Sequence, residues 1–136
     1  MTNETEVEKV INKFYEIISG KAEDGRDWCE FRRLFYSEDS SLTSMKYNNK
    51  ECITKPLNVE EYIVVLRNFL KSKDFYEYGF NYEIKVYESI ANVYSEYAAK
   101  PNKEDTEIIK RGVNIAQFIF NGLTWKIHSM LWQDQV

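Results

Sequence analysis

His128 is the only histidine in the chain, and its side chain is the one whose ordinary pKa lies near neutrality. Inside a cavity it would act as a general acid or base, or donate a hydrogen bond to a ligand. A lone histidine on a strand more commonly serves as a satisfied structural polar group. Tyr15, within a helical pattern, offers a phenol to a ligand oxygen, its plain alternative being a packed ring with the hydroxyl at the surface. Asn114 is polar within an apolar run, so once buried it must find partners in protein, water or ligand. Trp28, Phe118 and Trp132 read first as core. In a fold built around a cavity, core and pocket lining are largely the same residues.

Other chemistries lack their residues. There is no Gly-rich phosphate loop, no Cys-x-x-Cys and no His-x-x-x-His. With a single histidine and no clustered carboxylates in an apolar setting, no metal site is expected. Neither Cys29 nor Cys52 has metal-ligand spacing or a sequence-adjacent base that would make it a nucleophile. They are expected as two reduced, half-buried thiols, with a disulfide as the alternative. A net charge of −4 without any basic stripe argues against a nucleic-acid partner, because phosphate binding needs clustered Lys and Arg. No apolar run approaches the roughly 20 residues that span a bilayer, and the acidic N-terminus lacks a signal-peptide core. The expectation is therefore a cytoplasmic protein without a membrane partner. The aromatic share, 15%, is high enough to supply both a core and the walls of a pocket.

The elements that would position these residues follow from periodicity. Val7, Val10, Ile11, Phe14, Ile17 and Ile18 form one apolar stripe on a helix over residues 4–19, capped by Thr2 or Asn3, with Gly20 just beyond its end. Asp27 caps a short second helix carrying Trp28, Phe31, Leu34 and Phe35, and a strand follows over residues 40–47. Asn58 caps a third helix to about Lys71. The period then changes to two, over residues 80–87 and 91–99. Two further strands, 113–120 and 125–132, are joined around Asn121-Gly122, where a type I′ turn is expected. Pro56 and Pro101 are placed at breaks between elements. The fold class is α+β: one domain over residues 1–136, with three helices packed on a strongly curved antiparallel sheet of five or six strands. Such a sheet makes a cone, and a pocket between helices and sheet is its by-product.

This order resembles the nuclear transport factor 2-like superfamily, in its SnoaL-like and ketosteroid isomerase-like branch. The resemblance covers nearly the whole chain. It rests on Ile11-Asn12-Lys13-Phe14-Tyr15, on Leu34-Phe35-Tyr36-Ser37-Glu38-Asp39, and on Gln117-Phe118-Ile119-Phe120-Asn121-Gly122 leading to Trp125-Lys126-Ile127. It implies a cone-shaped fold, often dimeric through the outer sheet face. The isomerase chemistry does not carry over. The family tyrosine falls on Phe14, one place from Tyr15, the base near Ser44, and the oxyanion acid on Ala116. Ser44 and Ala116 cannot move a proton as carboxylic acids do.

The same resemblance implies facing. With Ala116 inward, Gly112, Asn114, Phe118 and Phe120 follow by alternation. The family's pocket methionine falls on Met130, which turns His128 and Trp132 inward and leaves Trp125, Ile127 and Leu131 on an outer apolar stripe suited to a homodimer. His128 would then need an orienting partner such as Asn114 or Glu96. Two function classes remain: a binding or accessory domain holding a small apolar or aromatic ligand, and a cofactor-independent enzyme (isomerase, cyclase or dehydratase) working around His128. A dimer module whose aromatics fill the cone is a third. Ligand contacts are expected from Tyr15, Trp28, Asn114, Phe118, Met130 and Trp132.

Overall fold

The computed structural model describes residues 2–135. Helix α1 spans Asn3–Ile18, and its first turn is closed by the Thr2 side chain, which accepts from the Thr5 amide. Its apolar stripe buries Val7, Ile11, Phe14 and Ile18. Asp27 caps α2, Trp28–Arg33, through the Glu30 amide. Asn58 and Glu61 form a reciprocal capping box at the start of α3, Val59–Leu70. Six strands follow the order β2-β1-β6-β5-β4-β3: β1 Ser41–Asn48, β2 Glu51–Leu57, β3 Tyr76–Tyr87, β4 Ile90–Lys100, β5 Lys110–Phe120 and β6 Trp125–Asp134. Every pairing is antiparallel except β1 with β6. The helices cover the inner side of the curved sheet, and Phe31, Leu42, Val93, Phe118, Ile127 and Met130 fill the space between.

Several boundaries depart from the periodicity. Strand β2 carries no apolar alternation and is exposed along most of its length, so the sequence does not mark it. Pro56 lies within it, not at a break, opposite Thr43. It is tolerated because β2 is an edge strand. The β1–β2 turn is Asn49-Lys50, both with positive φ (50° and 66°), which is the type I′ geometry expected at the other hairpin. At the β5–β6 hairpin the loop has four residues between the Phe120–Trp125 pair. Only Gly122 there has positive φ, and the Asn121 carboxamide oxygen accepts from the Leu123 and Thr124 amides, so Asn121 works through its side chain. Cys29 and Cys52 are free thiols and both exposed, not half-buried.

Two bulges matter most. In β3 the register shifts between Phe80 and Glu83, where Asn81 has φ 52°. In β6, Ser129 pairs with Gln117 and Ile127 with Phe118, leaving His128 as the extra residue. A single extra residue exchanges the two faces of everything beyond it. Trp125 and Ile127 therefore point inward and are buried, correcting the outer stripe expected for them. His128 is exposed on the outer side. Met130, Trp132 and Leu131 keep the faces expected of them: Met130 and Trp132 line the cone, and Leu131 is 46% exposed. Among the described residues, no helix is long and apolar enough to cross a membrane.

Candidate functional site

The open end of the cone is built on a row that crosses four strands: Gly79, Tyr97, Gly112 and Asp134 are successive partners on β3, β4, β5 and β6. Tyr97 lies across Gly112 and donates its hydroxyl to Asp134 Oδ1, two strands away. A side chain at Gly112 would occupy the place of the Tyr97 hydroxyl and collide with the Gln133 carbonyl. On the other side, Gly79 leaves the space taken by the Tyr15 and Tyr82 rings. Glycine here makes room for aromatic rings lying on the sheet, a familiar device for covering strand glycines. Burial, and then its bond to Asp134, push the Tyr97 hydroxyl well above the usual phenol range.

Deeper in, Asn114, Tyr15 and Ser95 form a chain whose direction is fixed. Ser95 Oγ donates to the Glu96 carbonyl at 3.1 Å. Its single proton is thereby used, so Tyr15 donates to Ser95 Oγ at 2.9 Å. Tyr15 Oη then accepts from Asn114 Nδ2 at 3.4 Å. The carboxamide orientation of Asn114 follows, and its Oδ1 is left buried without a hydrogen-bond partner. Asn114 is 4% exposed and lines the cavity. Burial raises the Tyr15 pKa to about 12, with the bonds to Ser95 and Asn114 working the other way.

The cavity measures about 180 Å³ and lies between α1, α3 and the sheet. Its walls are aromatic: Phe14, Tyr62, Phe69, Phe75, Tyr97 and Trp132. Tyr62 stacks on Phe14 and Phe31 and meets Trp132 edge to face at 5.7 Å. Its hydroxyl is driven well above the ordinary phenol pKa by burial. Glu77 and Lys110 join the lining and flank Ala99, the small residue between them in the ladder. The start of β3 is pinned to the end of α1, because Ser19 Oγ accepts from the Glu77 amide at 2.9 Å and Gly20 pairs with Phe75. Lys110 pairs with Asp134 at 3.8 Å. The Glu77 residue keeps some surface, but protein crowds its carboxyl. Burial raises its pKa to about 7, with Asp134 adding and Lys110 opposing. Among the described residues, no cluster of His, Cys, Asp and Glu is arranged to hold a metal ion.

The structure gathers Asn114, Met130 and Trp132 on this cavity, with Tyr15 one bond behind Asn114. Phe118 is buried in the core further along the cone, and Trp28 lines a shallow surface depression beside Arg67 and Leu70. His128 contacts Ser129 Oγ through Nδ1 at 3.2 Å and lines a separate outer groove of about 530 Å³ with Gln117, Asn92, Ile90 and Tyr87. Its expected companions are elsewhere: Asn114 is inside, and Glu96 accepts from Asn81 Nδ2 at 2.7 Å. Glu77 and Tyr97 are the functional candidates that periodicity misses. Strand β3 begins at Tyr76, four residues before the alternation is legible, and only the bulge turns Glu77 inward. The usable signal was a charged residue between Tyr76 and Tyr78 that precedes a strand glycine.

No protein-family model matches the chain, and no curated protein does. Solved structures do. A Nostoc punctiforme protein of unknown function with a cystatin-like fold superposes with a TM-score of 0.71 at 14% identity, covering 96% of this chain and 90% of that one. The β subunit of a provisionally assigned aromatic-ring-hydroxylating dioxygenase from Novosphingobium aromaticivorans gives 0.73 at 12% identity, over 98% and 89%. A provisionally assigned scytalone dehydratase from the same organism gives 0.66 at 18% identity, over 97% and 83%. At these identities the likeness shows the fold: the chain has the nuclear transport factor 2-like, cystatin-like architecture.

Proposed function

We propose that this protein binds a small, mostly apolar molecule in the aromatic-lined cone, and that the buried, unpartnered Asn114 Oδ1 is the atom that reads it. An acceptor that loses water on folding costs about 1–3 kcal/mol when left unsatisfied, and a ligand N–H or O–H recovers that loss. The Asn114–Tyr15–Ser95 chain supports this reading because it holds the carboxamide in one orientation. Native mass spectrometry of freshly purified protein, before and after organic extraction, tests it. A co-purified small molecule that is lost in Asn114→Leu is expected; binding unchanged in that variant would remove Asn114 from the site.

The second reading is cofactor-independent acid–base chemistry. It is favoured by one observation, a cavity carboxyl at Glu77 poised to exchange its proton near neutrality. With His128 on the outer face, such chemistry would be centred on Glu77. The neighbours of like fold include a provisionally assigned dehydratase and a dioxygenase subunit, so the architecture accommodates both a catalyst and an accessory chain.

The chain also pairs with a second copy through the outer sheet. Tyr94, Ile115 and Leu131 form a continuous cross-strand row, 36%, 41% and 46% exposed. Ile115→Glu together with Leu131→Glu should shift sedimentation from dimer to monomer at micromolar concentration. A wild-type monomer at that concentration would end this assignment.

A further inference from the structure

The cavity lining carries donors in the Tyr62 hydroxyl, the Trp132 indole N–H and Lys110, and it holds two acceptors without a protein partner among the described residues. Asn114 Oδ1 is unpartnered, and the Glu77 carboxyl has neither a hydrogen bond nor an ion pair among the described residues. Lys110, the cation in the lining, is engaged by Asp134, which also takes the Tyr97 hydroxyl. Glu77 is thus left with no cation in direct contact, Lys110 acting on it only from further off. The two open acceptors stand at opposite ends of the wall. Glu77 on β3 opposes Ala99 of β4 and Asn114 on β5 opposes Ser95 of β4, so their backbone positions lie roughly 13 Å apart along the strands and about 10 Å apart across them. Aromatic rings, Tyr62 and Trp132 among them, line the same cavity. An engineered cavity of about 150 Å³ takes benzene, so about 180 Å³ holds one ring with a short arm.

We propose that the ligand is a one-ring aromatic amine, its ammonium placed against the Glu77 carboxylate and a hydroxyl or N–H at its far end donating to Asn114 Oδ1. This rests on the binding reading above and names the ligand's chemistry. A ring with a short arm carries one donor at each end, one for each acceptor. The aromatic walls suit both the ring and the cation. The ammonium adds a direct counter-charge to the more distant one that Lys110 supplies.

Binding must then be linked to protons. The groups facing Glu77 are Lys110 from β5, Asp134 from β6, Tyr97 from β4, Tyr62 from α3 and Tyr15 from α1. The three phenols stay neutral below pH 9. Between pH 5.5 and 8 the change inside the cone is therefore the ionisation of Glu77, around pH 7. An ammonium ligand binds the ionised form, so its affinity rises with pH until the amine itself loses its proton, near pH 10.

The experiment is isothermal titration calorimetry of the full chain with four probes: tyramine, phenethylamine, para-ethylphenol and para-hydroxyphenylpropionate. Tyramine should bind tightest, about tenfold above para-ethylphenol for its charged contact and about fivefold above phenethylamine for its hydroxyl. Its affinity should rise about tenfold from pH 5.5 to 8 and lose that slope in Glu77→Gln, while Asn114→Leu removes the advantage of the hydroxyl. Para-ethylphenol binding as tightly as tyramine, flat with pH, would overturn the amine and leave the pocket standing. Tightest binding by the propionate would overturn it in favour of Lys110. Failure of all four to bind would take the pocket reading down as well. If Glu77→Gln does not fold, the pH slope of the unaltered protein decides.

Discussion

The bulges in β3 and β6 are alike in form and opposite in effect. At Asn81 the extra residue turns Glu77 into the cone; at His128 it turns the imidazole out of it. Each moves a titratable group across the sheet without altering residue type, strand or neighbourhood in sequence. Inside, the polar atoms are held in directed chains over glycine openings, and each one left unpaired is conspicuous. Outside, His128 meets Ser129, Ser129 meets Gln117 at 3.3 Å, and water can complete what protein does not. The lesson is that the chemistry of this fold is assigned by single insertions in the ladder as much as by which residues are present.

The contrast can be broken by experiment. The largest effect is expected for Gly112→Ala, which sets a methyl group against Tyr97 and the Gln133 carbonyl. It should lower stability by about 3 kcal/mol in urea unfolding, and a neutral result would mean Tyr97 does not lie across β5. Glu77→Gln comes next and depends on pH. The folded pKa of Glu77, about 7, is above the ordinary 4.5, so its favourable contribution is complete below pH 4.5 and is lost as pH rises through 7. Measured against the unaltered protein, Glu77→Gln should gain on the order of 2 kcal/mol between pH 4.5 and pH 8. A flat difference would put the carboxyl in solvent. Tyr15→Phe leaves Asn114 unpaired at both ends of its amide and should cost about 2 kcal/mol. His128→Ala, on the outer face, should change stability by less than about 0.5 kcal/mol and leave cone ligands untouched. A large loss there would place the imidazole inside after all.

Much of the architecture was legible because it is written in periodicity and caps. Thr2, Asp27 and Asn58 mark the three helix starts, and the resemblance, which puts Ala116 inward, gives the correct inner set on β5 when carried along by alternation. Asn114 was visible as a polar break in that alternation. Strand β2 was not, since an exposed edge strand has no buried face to pattern. Glu77 and His128 were misplaced or missed for one reason. A bulge has no hydrophobic signature of its own, and a period of two carried past it reverses every assignment beyond. The reach of Tyr97 to Asp134 was not legible either, because it depends on the room left at Gly112.

The parallel pairing of Ser41–Met45 with Ser129–Gln133 has a consequence for how this chain comes into being. All three helices and the first hairpin are synthesised before β6 exists, yet β6 is the strand that seats that hairpin beside the rest of the sheet. On the ribosome α1 can dock on β3 once that strand emerges, but the β1–β2 hairpin has no place in the sheet until β6 emerges. Docking is then a late, long-range closure, the kind of step that makes folding slow and leaves partly made chains prone to self-association.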